Sequence, residues 1–265
     1  SVPSQPDVRL RLFLPEGRGP WPAYLVFFGG SFRRGGVEWP SPSAAFAARA
    51  RGAGVAAVAV DYALAPEHPY PAAVHQGMAA LRWIVRDGSA HGLDPARIGI
   101  GGMSSGANIA AAVSLFNRDT DAITLRLQLL EVPALDLTGG HLSLGAAAGF
   151  GPLGPLVLVG LLAIARDYLG GSMARAREPY ASPLLAPDLT GLPPTRILTA
   201  QHDPLRRDGE TYAARLRAAG VDAVATRFAG MTHEASAYTK VLPGARAWHE
   251  TVVAALASRL HRPAS

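Results

Sequence analysis

The residues Gly101-Gly102-Met103-Ser104-Ser105-Gly106-Ala107-Asn108 limit the fold more than any other stretch. They place Gly102-x-Ser104-x-Gly106 between an apolar run, Arg97 to Ile100, and an alanine-rich helical pattern, Ile109 to Leu115. A serine on a sharp strand-to-helix turn is held out over the end of a sheet. The flanking glycines permit a strained backbone and let the helix pass close to the strand. The helix starts at the same point, so its free N–H groups and the positive end of its dipole face the serine. Alone, the pattern also fits a glycine-rich turn without chemistry, because chains rich in Gly, Ala and Ser contain it by chance.

The rest of the chain alternates strand and helix signals. Val8 to Leu12 alternates apolar and charged residues, with Leu14 in step, as a half-exposed antiparallel strand does. Continuous apolar runs at Ala23 to Phe28, Gly54 to Val60, Leu125 to Leu130, Thr195 to Ala200 and Ala223 to Phe228 read as further strands. Helical spacing covers Ser43 to Arg51, Ala72 to Arg86, Ile109 to Phe116, Gly209 to Ala219 and Ala245 to Leu260. This order predicts an α/β protein, a mostly parallel central sheet with helices on both faces. In such sheets a ligand lies beyond the carboxyl ends of the strands. Gly29, Gly30, Ser104, Asp203 and His233 all fall at such ends.

Composition narrows the function classes. Apolar content of 49% and charged content of 17% suit a well-buried globular enzyme. The net charge of +5 is scattered, without the basic stripe that nucleic-acid binding needs. The chain has no cysteine, which removes a thiol nucleophile, a disulfide framework and a thiolate metal site. No apolar leader is visible in Ser1 to Pro15, and the expected location is cytoplasmic. The uncharged run Leu142 to Ala165 is long enough to span a bilayer, but its glycines and prolines favour an apolar cap or a buried helix.

A serine hydroxyl needs a base to take its proton and a third group to orient that base. Asp203 follows the strand ending at Ala200, and His233 follows the strand ending at Phe228. Serine, then acid, then histidine is the chain order of the α/β-hydrolase fold. His202 competes for the base, but its neighbouring position to the acid disfavours it. His68, His75 and His91 lie too early in the chain. Asp208 and Glu210 compete for the acid, and their place inside the following helix predicts that they face solvent.

Together these stretches resemble the hormone-sensitive-lipase-like branch of the α/β hydrolases, the bacterial family IV carboxylesterases. The matching residues are Phe28-Gly29-Gly30-Ser31-Phe32, the block Asp61 to Ala72, Gly102 to Asn108, Asp203-Pro204-Leu205 and His233. Ala181-Ser182-Pro183-Leu184 and Gly191-Leu192-Pro193-Pro194 match as well, so the resemblance runs from about Asp7 to Leu260. It implies Ser104 as nucleophile, His233 as general base and then acid, and Asp203 as orienting carboxylate. It also implies an oxyanion hole of the backbone N–H groups of Gly30, Ser31 and Ser105. No metal or cofactor is implied.

Three departures stand out. The family's His-Gly-Gly-Gly is Phe28-Gly29-Gly30-Ser31, so a hydrogen-bonding brace becomes a packing one. Ser31 replaces a glycine whose N–H should point at substrate. The family's Gly-Asp-Ser-Ala-Gly is Gly102-Met103-Ser104-Ser105-Gly106. The family's N-terminal helical cap has no counterpart before the first strand here, being absent or trimmed. We therefore expect one α/β-hydrolase domain over residues 1–265, with a reduced cap inserted at about 137–180. Phe28, Phe32, Met103, Phe150 and Leu153 are candidate pocket walls, the alternative being a cap that packs on itself.

The expected reaction is hydrolysis of a small or medium apolar carboxylic ester through an acyl-enzyme. The altered motifs keep open an acyltransferase, cyclase, lactonase or amidase using the same three residues. A non-catalytic binding protein on this fold is the third reading, and it normally loses one of the three. The expected partner is a small-molecule ester, with no nucleic acid and no membrane span. A homodimer stays open.

Overall fold

The computed structural model describes Val2, Ser4 and residues 6–261. Seven strands form one sheet in the order β1-β3-β2-β4-β5-β6-β7. β1 (Arg9–Phe13) runs antiparallel to β3 (Ala56–Asp61). β2 (Trp21–Phe27), β4 (Leu93–Met103), β5 (Leu127–Glu131), β6 (Thr195–His202) and β7 (Ala223–Thr232) complete the parallel part with β3. β2, β3 and β5 are buried almost end to end, which is why their sequences are unbroken apolar runs rather than alternating ones.

α1 (Pro40–Ala53) and α7 (Pro243–Leu260) pack against each other on one face of the sheet. α2 (Ala72–Asp87) and α3 (Ser105–Thr120) pack on the other, and α6 (Arg206–Ala218) lies against β6 and β7. Between β5 and β6 the chain leaves the sheet. It forms two cap helices, α4 (Leu144–Ala148) and α5 (Gly154–Tyr168), and returns past α3 and α6 to β6.

Element boundaries differ from the sequence reading mainly at strand ends. β4 begins at Leu93 rather than Arg97, because polar Asp94 pairs beside Pro22 before a register shift in β2. β7 continues past Phe228 to Thr232, carrying His233 to the strand's end. The apolar run at 142–165 is neither buried nor one helix. By length and composition Gly151–Tyr168 could cross a membrane, and it is 17% buried.

Candidate active site

The turn after β4 is as strained as its sequence demands. Ser104 holds φ 55° and ψ −119°, a region costly for a residue with a Cβ. Its N–H donates to the Glu131 carbonyl at 2.8 Å, and its carbonyl accepts from Ala107 and Asn108 at the start of α3. A Cβ on Gly102 would meet the Gly106 carbonyl at 2.5 Å, and one on Gly106 would meet the Phe28 carbonyl at 2.3 Å. Helix, strand and neighbouring strand therefore touch backbone to backbone under the serine.

Three separate strand ends then meet. His233 Nε2 lies 2.9 Å from Ser104 Oγ, and His233 Nδ1 lies 2.8 Å from Asp203 Oδ2. Asp203 is 1% exposed, and its second oxygen accepts from the Leu205 N–H at 2.9 Å. Burial on its own lowers the pKa of His233, but the Asp203 charge and hydrogen bond outweigh it, so the net shift is upward. A neutral imidazole so placed can accept the serine proton, and the carboxylate favours the imidazolium that results.

Of the competing residues, His202 is exposed. Glu210 pairs with Arg227 at 2.7 Å. Asp208 corrects the sequence reading, because it is 1% exposed rather than facing solvent. Its Oδ2 accepts the N–H groups of Leu135 and Asp136 at 2.7 and 2.9 Å. Burial, partly offset by those two N–H groups and reinforced by the charges of Asp136 and Asp203, pushes its pKa up to about 7.

The loop after β2 is braced without the usual histidine. Phe28 is buried and stacks on Tyr62, ring centroids 4.3 Å apart. Tyr62 Oη donates to the Phe28 carbonyl at 2.9 Å. Phe32 stacks on Tyr168 of the cap at 3.8 Å, and its carbonyl accepts from Ala65 at 2.9 Å. The block Asp61 to Ala72 thus holds this loop from beneath. Ser31 and Phe32 both sit at positive φ, 57° and 59°.

The three expected oxyanion donors do not behave alike. The Gly30 N–H donates to Ser105 Oγ at 3.1 Å. Among the described residues, the N–H groups of Ser31 and Ser105 pair with no protein acceptor. The Gly30 carbonyl accepts from both Arg33 and Arg34 at 3.1 Å, which fixes the peptide plane that carries the Ser31 N–H.

Two cavities meet at Ser104. The smaller, about 50 Å³, runs under the cap past Ser31, Phe32, Leu137, Leu161 and Ile164. The larger, about 610 Å³, opens past Phe28, Met103, Phe150, Arg49 and His233. Four of the five residues expected as walls therefore line a cavity. Leu153 lines neither and is 60% exposed, in the short turn Gly151–Leu153 that precedes α5. From α5 the walls are instead Val157, Leu161, Leu162, Ile164 and Ala165.

A buried ion pair lies behind the nucleophile, and the sequence reading missed it. Arg49 of α1 meets Glu131 at 2.7 Å, and Trp248 Nε1 donates to the same carboxylate at 2.6 Å. The available signal was a lone acid closing the apolar strand Leu-Gln-Leu-Leu-Glu, since a charge there requires a partner. Among the described residues, no three His, Cys, Asp or Glu side chains converge as a metal ion would require.

The alpha/beta hydrolase fold family profile matches residues 24–237. Carboxylesterase NlhH of Mycobacterium tuberculosis H37Rv is 37% identical over 259 residues, 96% of this chain and 79% of that protein. Carboxylic ester hydrolase LipN of the same organism is 35% identical, over 97% of this chain and 68% of its own. Among solved structures, the metagenomic thermophilic carboxylesterase EstE1 superposes with a TM-score of 0.89 at 34% identity, covering 98% of this chain and 88% of that one. The hyperthermophilic esterase of Pyrobaculum calidifontis gives 0.87 at 34% identity, covering 95% and 79%.

Proposed function

This chain belongs to the alpha/beta hydrolase fold family, in its hormone-sensitive-lipase-like branch, and is a serine ester hydrolase; we propose that Ser104, His233 and Asp203 carry the reaction on short-acyl esters of bulkier alcohols. The observation that carries the assignment is the relay of 2.9 and 2.8 Å from serine to imidazole to carboxylate. His233 takes the Ser104 proton as Oγ attacks the ester carbonyl. The oxyanion forms against backbone N–H groups of the Gly30–Ser31 loop and Ser105. His233 then hands the proton to the departing alcohol, and water repeats the sequence on the acyl-enzyme.

The direction of the substrate follows from the proton. The leaving oxygen must come within reach of His233 Nε2, and of the two cavities only the large one is lined by His233. The alcohol therefore occupies the 610 Å³ cavity, within the usual size range of ligand sites. The acyl chain enters the 50 Å³ cavity, which has room for roughly four heavy atoms. Residues 137–180 act as the cap over both. Transfer to other acceptors or ring formation is not favoured, since the relatives are esterases. The reading keeps a cytoplasmic enzyme and leaves a homodimer open; cell fractionation and sedimentation test each.

The test is a panel of esters of fixed alcohol and rising acyl length, run with fluorophosphonate labelling. Labelling at Ser104, a fall of about 10⁵-fold in kcat for Ser104→Ala, and a steep drop in rate beyond butyrate are expected. Leu161→Ala, which enlarges the acyl side, moves that drop to longer chains. Absence of label at Ser104, or a rate indifferent to acyl length, overturns the assignment. Because His233 must be neutral to act as base and its pKa is raised, the acid limb of kcat/KM lies above pH 6.5, the ordinary histidine value. A limb below it contradicts the Asp203 pairing.

A further inference from the structure

The hydrogen bond from Gly30 to the side chain of Ser105 bears on how many donors meet the oxyanion. Ser105 is 1% exposed, and its hydroxyl lies beside that of the buried Tyr62. An N–H points one way, and that of Gly30 points at Ser105 Oγ, 3.1 Å away. The N–H of Ser31 belongs to the next peptide, whose carbonyl is tied down by Arg33 and Arg34. The two neighbouring N–H groups are therefore held independently, one turned to the protein and one left for substrate.

We propose that the Ser105 hydroxyl withholds the Gly30 N–H from the reaction, leaving an oxyanion hole of two donors, Ser31 and Ser105. Turning the Gly29–Gly30 peptide toward the oxyanion would break the bond at Ser105 Oγ and leave that buried oxygen without its donor, a cost comparable to the gain. With alanine at 105 no acceptor competes, and the loop keeps its other ties, the Phe28–Tyr62 stack and the turn at Gly30. Ser105 is thus a positioning residue through its side chain and an oxyanion donor through its backbone. The missing third donor weighs most on esters of poor leaving groups, where charge on the carbonyl oxygen is greatest.

This rests on the esterase assignment above, and the test separates the two. Ser105→Ala and Ser105→Thr are compared with the native enzyme on alkyl and aryl esters, with thermal midpoints recorded for all three. One oxyanion donor is worth about 10²–10³ in kcat, so a partial recovery of about tenfold in kcat on alkyl esters is expected for Ser105→Ala, with KM little changed. Aryl esters gain less, and Ser105→Thr, which keeps the oxygen, shows no gain on alkyl esters. Amide proton shifts on adding an alkyl boronic acid give the direct readout. In the native enzyme the Ser31 and Ser105 amides move and Gly30 does not; in Ser105→Ala all three move. A Gly30 amide that already moves in the native enzyme, or a kcat that falls in Ser105→Ala at an unchanged midpoint, overturns the proposal. Absence of any turnover or of boronate binding in the native enzyme defeats the esterase assignment instead.

Discussion

Glycines sit beneath Ser104 and on the outer side of the cap above it, at Gly145 and Gly160, and the two sets are used in opposite ways. Beneath the serine, a Cβ on Gly101 would meet the Leu129 carbonyl at 2.3 Å, and one on Gly102 would meet Gly106 at 2.5 Å. In the cap, a Cβ on Gly145 or Gly160 would meet nothing within 4 Å. The same contrast runs through the larger side chains. Ile98, Ile100 and Leu129 below are fully buried, whereas Leu156 and Val159 of α5 are 67% and 61% exposed. Chemistry that needs its atoms fixed to a fraction of an ångström sits on backbone with no spare volume. The outer face of the cap has open space instead.

The sharpest way to break this comparison is Gly102→Ala. The new methyl meets backbone atoms of Gly106 and Phe27, which cannot move without opening the turn. A loss of more than about 3 kcal/mol is expected, in line with overpacking against a rigid neighbour. Chemical denaturation measures it. Near-native stability would mean that the close contact under Ser104 is not what sets the turn.

A second test addresses the join between the two regions. Asp208 of α6 holds the backbone at Leu135 and Asp136, where the chain leaves the sheet for the cap. Its pKa rises in the folded protein from 3.8 to about 7. A raised pKa means that the folded state binds the proton more tightly, so this contribution is full below pH 3.8 and is lost as pH climbs to about 7. Within that window the group lowers stability by up to about 1.4 kcal/mol per pH unit. Asp208→Asn removes this slope, so the variant gains on the native protein as pH rises. Parallel pH dependences in denaturant titrations would show that Asp208 is not held neutral.

How much of this was legible in the sequence follows the same division. Ser104, Asp203 and His233 were readable because each ends an apolar run, and apolar runs mark buried strands whatever lies around them. The facing of α5 was not. A helix apolar on every side carries no stripe to orient it, so Leu161 went unnamed, and Leu153, in the turn before the helix, was expected in the pocket. Asp208 was misread because helical spacing reports which face a residue shares, not which distant loop needs a hydrogen-bond acceptor. The direction of the Gly30 N–H was beyond any pattern, since a peptide plane leaves no trace in residue identity.

The smallest expected effect tests the upper region alone. Gly160 lies in the middle of α5 with an ordinary helical backbone and open space where a side chain would go. Glycine there costs conformational entropy that alanine does not, about 1 kcal/mol in an exposed helix. Gly160→Ala should therefore stabilise the protein by up to that amount, a rise of roughly 2–4 °C in Tm for a chain of this size. Its acyl-length profile should stay unchanged, because Gly160 lines neither cavity. A fall in Tm would mean that something packs closely on this face of α5 in solution. The contrast with Gly102 would then be one of which partner fills the space, rather than of whether the space is filled.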